Sequence, residues 1–161
     1  QRAETGMLRS AALMQDDVET IAAATDLLAE TKLTPELRNE ALYFRAKAYL
    51  NQQADKKAMN DLQALAKDTR TLYGAEAKYL VALQLYKAHE YAAAEKEILN
   101  FIEQSTPHAY WLARSFVLLS DVYVAMDKKL DARQYLLSLQ QNYHADDDIE
   151  QMINERLEKL K

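Results

Sequence analysis

The sequence predicts an all-α protein, and three observations carry that prediction. Only two glycines and two prolines occur among 161 residues, too few for the tight turns of a β-rich chain of this length. Ala, Leu, Lys, Glu and Gln, which are good helix formers, are abundant instead. Apolar residues recur at helical spacing along the chain, and one small-then-large pairing returns about every 36 residues.

Composition narrows the class further. Hydrophobic residues are 49% and charged residues 28%, which suits one globular domain over residues 1–161 with a sizeable core. The net charge of −5 argues against non-specific binding to nucleic acid or to an anionic membrane surface. The absence of cysteine excludes a disulfide framework and thiolate metal sites. No apolar run reaches the roughly 18 residues that cross a bilayer, so the chain is not expected to be transmembrane. It begins at Gln1, already in helical sequence, and is expected to be a mature product or an excised piece of a longer protein.

Each element has a local reason. Met7, Leu8, Ala11 and Met14 define a first helix over residues 2–15. Asp16-Asp17 caps a second that carries Val18, Ile21, Ala22, Leu27 and Leu28. Thr34-Pro35-Glu36 starts a third, with a hydroxyl cap, proline at the first helical position and an acid behind it. Ala58, Leu62 and Leu65 mark a fourth. A fifth starts near Gly74 and carries Tyr79, Ala82, Leu85 and Tyr86; a sixth carries Ala94, Ile98 and Phe101. Ser105-Thr106-Pro107 repeats the cap-then-proline device before a seventh helix with Trp111, Phe116, Leu119 and Tyr123. The eighth holds Ala132, Leu136 and Leu139. Asp146 to Asp148 place three acids where a ninth begins. Its apolar face is Ile149, Met152, Ile153, Leu157 and Leu160, with Arg156 on the same side and its charged head expected in water.

Side by side, the helix pairs give four copies of one pattern. They read Ala11, Met14, Ala23, Leu27; then Ala46, Tyr49, Ala58, Leu62; then Ala82, Leu85, Ala94, Ile98; then Ser120, Tyr123, Ala132, Leu136. Three residues further on stand Glu30, Leu65, Phe101 and Leu139. The anchors Ala23, Ala58, Ala94 and Ala132 are 35, 36 and 38 residues apart. Two antiparallel helices approach closely where one supplies a small residue and the other fills the space above it. Each pair keeps an unburied face and stacks on the next.

This pattern resembles the tetratricopeptide repeat family, whose motif is small-x2-Tyr-x8-Ala-x3-Phe with a junction proline. Tyr49 and Tyr123 match the aromatic, and Pro35 and Pro107 the proline. Ala46, Ala82 and Ser120 stand where the family has glycine, and Met14 and Glu30 depart from it in the first copy. The resemblance implies a right-handed α-α superhelix of four helix pairs, over residues 2–33, 34–71, 72–106 and 107–145, closed by a capping helix over 146–160. Residues 106–116 and 135–143 further resemble tetratricopeptide proteins of Bacteroidetes-type bacteria, which implies a bacterial envelope or periplasmic location; a cytoplasmic one stays open.

In that family the first helix of each pair lines a concave groove. The implied lining here is Tyr43 and Lys47, then Tyr79, Leu83, Tyr86 and Lys87, then Arg114 and Asp121. Tyr and Arg are enriched where binding energy concentrates. The alternative, that Leu83 and Tyr86 pack against a neighbouring repeat, is left open. The expected function is non-catalytic: a protein-interaction module holding a segment of a protein or peptide partner. The other reading is a structural spacer or assembly subunit of a bacterial envelope complex. His89, His108 and His144 sit at turns with no ligand spacing among them, no Gly-rich phosphate loop occurs, and the acidic runs read as helix starts. No catalytic, cofactor or metal site is therefore expected, and Trp111 is expected to pack between the third and fourth pairs. The last helix is expected to cap the stack rather than to dock a partner.

Overall fold

A computed structural model describes residues 2–161. Among the described residues nine helices follow one another: α1 (Arg2–Leu13), α2 (Asp17–Leu28), α3 (Pro35–Asn51), α4 (Asp55–Leu65), α5 (Leu72–Lys87), α6 (Tyr91–Glu103), α7 (Ala109–Ala125), α8 (Lys129–Asn142) and α9 (Ile149–Lys159). No strand occurs among the described residues. The all-α class and the packing of successive helices in pairs agree with the sequence reading.

Side chains cap three helix starts, two of them, Asp16 and Thr34, as expected and the third, Thr71, not named by the sequence reading. Asp16 accepts a hydrogen bond from the Glu19 amide, Thr34 from the Leu37 amide with Pro35 in the first turn, and Thr71 from the Gly74 amide. The Thr106-Pro107 device is different. The Thr106 hydroxyl donates to the Thr69 carbonyl and accepts from the His108 amide, so α7 begins only at Ala109. His108 precedes the helix rather than lying in its first turn, with its Nε2 2.9 Å from the Arg70 carbonyl oxygen.

The clearest repeat lies in the backbone. Gln15, Gln53, His89 and Asp127 have φ of 55°, 59°, 62° and 60°, and each stands in the turn inside a helix pair. The residue after each donates to a carbonyl five positions back: Asp16 to Ala11, Ala54 to Tyr49, Glu90 to Leu85, Lys128 to Tyr123, at 2.7–3.0 Å. This is the Schellman closure, usually built on glycine. Here no glycine is used.

These turns also correct the register of the first copy. Counting from them, the first pair uses Leu8, Ala11, Thr20, Ala24 and Leu27 where the second uses Ala46, Tyr49, Ala58, Leu62 and Leu65. All five are buried, whereas Met14 is 79% exposed. The expected set of Ala11, Met14, Ala23, Leu27 and Glu30 lies three residues too far along both helices. The cause is an exchange of volume: a large residue, Leu8, takes the seat that is small elsewhere, and Ala11 and Ala24 take seats that are large elsewhere. The contact stays filled.

Two compact units divide the chain, residues 1–68 and 69–161. In the first, α2 packs on α1 and α3, α4 on α3, and α1 also touches α3. Its core joins Leu8, Ala23, Ala24, Leu27 and Ala41, with Leu28, Leu33 and Phe44 around them. In the second, α5 packs on α6, and α7 on α5, α6 and α8. The anchors Ala82, Ala94, Ile98, Phe101, Ala132 and Leu136 are buried there, and Leu85, expected to be buried, is covered over most but not all of its surface. Ser120 is buried with its hydroxyl satisfied by the Val117 carbonyl at 2.6 Å. α9 packs on α7 and α8, placing Ile149 and Ile153 against Ala113, Val117, Leu136 and Leu139.

Candidate functional site

The first helices of successive pairs lie side by side within each unit, and a long polar side chain bridges each contact. In the first unit, Arg9 on α1 donates to Glu40 on α3 through Nε and NH2, at 2.7 and 2.8 Å. In the second, Arg114 on α7 donates through Nε to the Tyr79 hydroxyl on α5 at 3.2 Å. Arg156 on α9 grips Asp121 on α7 through Nε and NH2, at 2.8 and 3.0 Å. Arginine suits this task because its planar fork matches a carboxylate and its stem packs on apolar neighbours.

These rungs decide what the predicted lining can offer. Tyr43 and Lys47 belong to the first unit, where the Lys47 ammonium lies 5.8 Å from the Tyr43 ring centroid. The other six belong to the second. Tyr79, expected to line a groove, is instead only 7% exposed. Trp111 and Arg114 close over it, with ring centroids 5.6 Å apart and the guanidinium 5.2 Å from the Tyr79 ring. Trp111 thus packs between the third and fourth pairs, as expected. Arg114 also donates to the Tyr110 hydroxyl, which donates to Asp148 at the start of α9. Leu83 is half-buried and Lys87 exposed.

Tyr86 and Asp121 do meet. They line a cleft of about 470 Å³ together with Ser120 and Val124 of α7, Lys129 of α8, and Glu155, Arg156, Lys159 and Leu160. Burial pushes the Tyr86 phenol above its usual pKa, with the Asp121 carboxylate adding to the effect. The cleft therefore combines a neutral phenol, an apolar Val124, a fixed ion pair and two ammonium groups. Residues from α8 and α9 were absent from the expected lining. One signal for them existed: Arg156 stands on the apolar side of α9, where a charge needs a partner. Its head turns to Asp121 rather than to water.

Each histidine has a local neighbour. His89 stacks on Tyr91 with centroids 5.6 Å apart, and the His144 Nε2 lies 2.8 Å from the Gln141 carbonyl oxygen. Among the described residues no group of three His, Asp or Glu side chains converges on a metal position. No described helix is long and apolar enough to cross a membrane. No family model matches this chain, and no curated protein matches it.

Proposed function

We propose that this chain is a tetratricopeptide-like repeat module, wound with a right hand, that binds a segment of a protein partner and performs no chemistry itself. The observation that carries this reading is the cleft between α5, α7 and α9, where Tyr86, Val124, Lys129 and Lys159 converge. An aromatic body with a polar tip, an apolar wall and exposed cations suit a peptide segment, whose backbone and side chains need both kinds of contact. Leu83 and Lys87 extend the same helix beside it.

Panning a displayed random-peptide library on the full chain tests the reading. Enriched peptides should lose binding to a Tyr86→Ala/Val124→Glu variant of unchanged thermal midpoint. Retained binding would reject the cleft. The second reading, a structural spacer or assembly subunit, draws on a separate observation: Met7, Leu13, Met14 and Val18 are 56%, 85%, 79% and 69% exposed on the first helix pair.

A further inference from the structure

We propose that the segment taken by the cleft is acidic, with an apolar side chain beside its carboxylate. This rests on the peptide-binding reading above and narrows it to one class of partner. Its basis is which polar groups around the cleft are already engaged. Asp121 is fully engaged: both its oxygens accept from Arg156. Arg156 is engaged as well, donating its remaining bond through NH1 to the Met152 carbonyl. Glu155 accepts from the Gln151 side chain with one oxygen. The Tyr86 ring lies beside Tyr91, with centroids 5.8 Å apart, and burial raises the pKa of its phenol, so the hydroxyl stays a donor. Among the described residues, neither that hydroxyl nor the ammonium groups of Lys129 and Lys159 enter a hydrogen bond or an ion pair.

The unengaged groups are thus three donors, two of them charged, against one oxygen of Glu155. A carboxylate supplies the acceptors they lack. Val124, 40% exposed, and Leu160 offer the apolar contact beside them. The chain as a whole carries −5, so a preference for acid cannot come from its overall field. It has to arise locally, where Arg156 cancels Asp121 and two lysines outweigh Glu155. Glu155 stands four residues before Lys159 on α9 and opposes the preference, so removing its charge should strengthen it.

Three displayed peptide libraries of equal apolar content test the proposal. Their polar positions are glutamate and aspartate, glutamine and serine, or lysine and arginine. Panned on the full chain, the acidic library should be enriched most. An enriched acidic peptide, synthesised with both ends blocked, is then titrated by fluorescence anisotropy. Lys129→Gln/Lys159→Gln should weaken it by roughly five- to tenfold, and Glu155→Gln should tighten it. Both lysines are exposed, so the fold should be kept; Lys159→Gln alone should give a smaller loss in the same direction. Lys56→Gln/Lys67→Gln changes the net charge equally at exposed sites of the first unit and should leave the affinity unchanged. The proposal is overturned if neutral or basic peptides are enriched as strongly and lose binding to Tyr86→Ala/Val124→Glu, in which case the cleft still binds peptides. It is overturned too if both lysine pairs weaken the acidic peptide alike. If no library is enriched, or enrichment survives Tyr86→Ala/Val124→Glu, the peptide-binding reading itself fails and the acidic partner falls with it.

Discussion

Arg156 and Asp121 form a two-pronged ion pair between α9 and α7, with Nε–Oδ1 at 2.8 Å and a second bond at 3.0 Å, both side chains about a quarter exposed. The pair fastens the outer edge of α9, while Ile149 and Ile153 fasten its inner face.

Removing one partner leaves the other charge half-buried and unpaired, which is costlier than losing a surface ion pair. Arg156→Met should therefore lower unfolding stability by about 1–2 kcal/mol in urea titration. Asp121→Arg combined with Arg156→Asp should recover part of that loss. Additive losses in the double variant would show that the two residues are not coupled.

The turns inside the helix pairs offer stabilisation. A left-handed backbone strains any side chain with a Cβ, least so for Asp. Gln53→Gly and His89→Gly should each raise stability by about 0.5–1 kcal/mol, and Asp127→Gly by less. On a chain of this size that is a rise of about 2–4 °C in Tm per kcal/mol. Equal or falling midpoints at positions 53 and 89 would contradict the turn geometry.

Tyr143 should titrate late. Burial, and then its 2.6 Å hydrogen bond to Asp147, push the phenol up to about 12. The folded state holds this proton more tightly than the unfolded chain, whose phenols titrate near the usual value of about 10. Its contribution to stability is complete below that value and is lost as pH rises towards the folded one. In an ultraviolet titration of the folded chain, Tyr143→Phe should remove one late step, and Asp147→Asn should shift that step down.

The seat of Ala94 has no room. It is fully buried between α5 and α6, so Ala94→Leu should cost about 1–3 kcal/mol by overpacking. Calorimetry of the variant would show it as a lower Tm with the helical spectrum kept.

What the sequence made legible was helix content and pairing. Thr34-Pro35 and Asp16 speak through their own backbone, and Ala58, Ala94 and Ala132 through a spacing that only a helix pair explains. The first-copy register escaped because Leu8 and Ala11 exchange sizes across one contact. A pattern of small and large letters records volume at a position, not volume shared between two. The start of α7 escaped because Thr106 spends its hydroxyl on Thr69, far back in the chain. The candidate lining was legible only in part, for a related reason. Tyr79, Arg114 and Asp121 have the chemistry of binding residues, but their partners stand 35 residues away, on the next first helix. Helical spacing reports which residues share a face and is silent on which of them are already occupied.

α9 takes the place on α7 and α8 that α7 takes on α5 and α6. A stack made by copying one contact resembles addition polymerisation, where every addition regenerates the end that accepts the next. α9 differs from the other added helices on its outer stripe: Glu150, Gln151, Asn154, Glu155 and Glu158 are exposed there and hold water that another helix would have to strip away. The inner contact of α9 is thus a copy of an earlier addition, whereas its outer stripe sets a dehydration barrier to a further one.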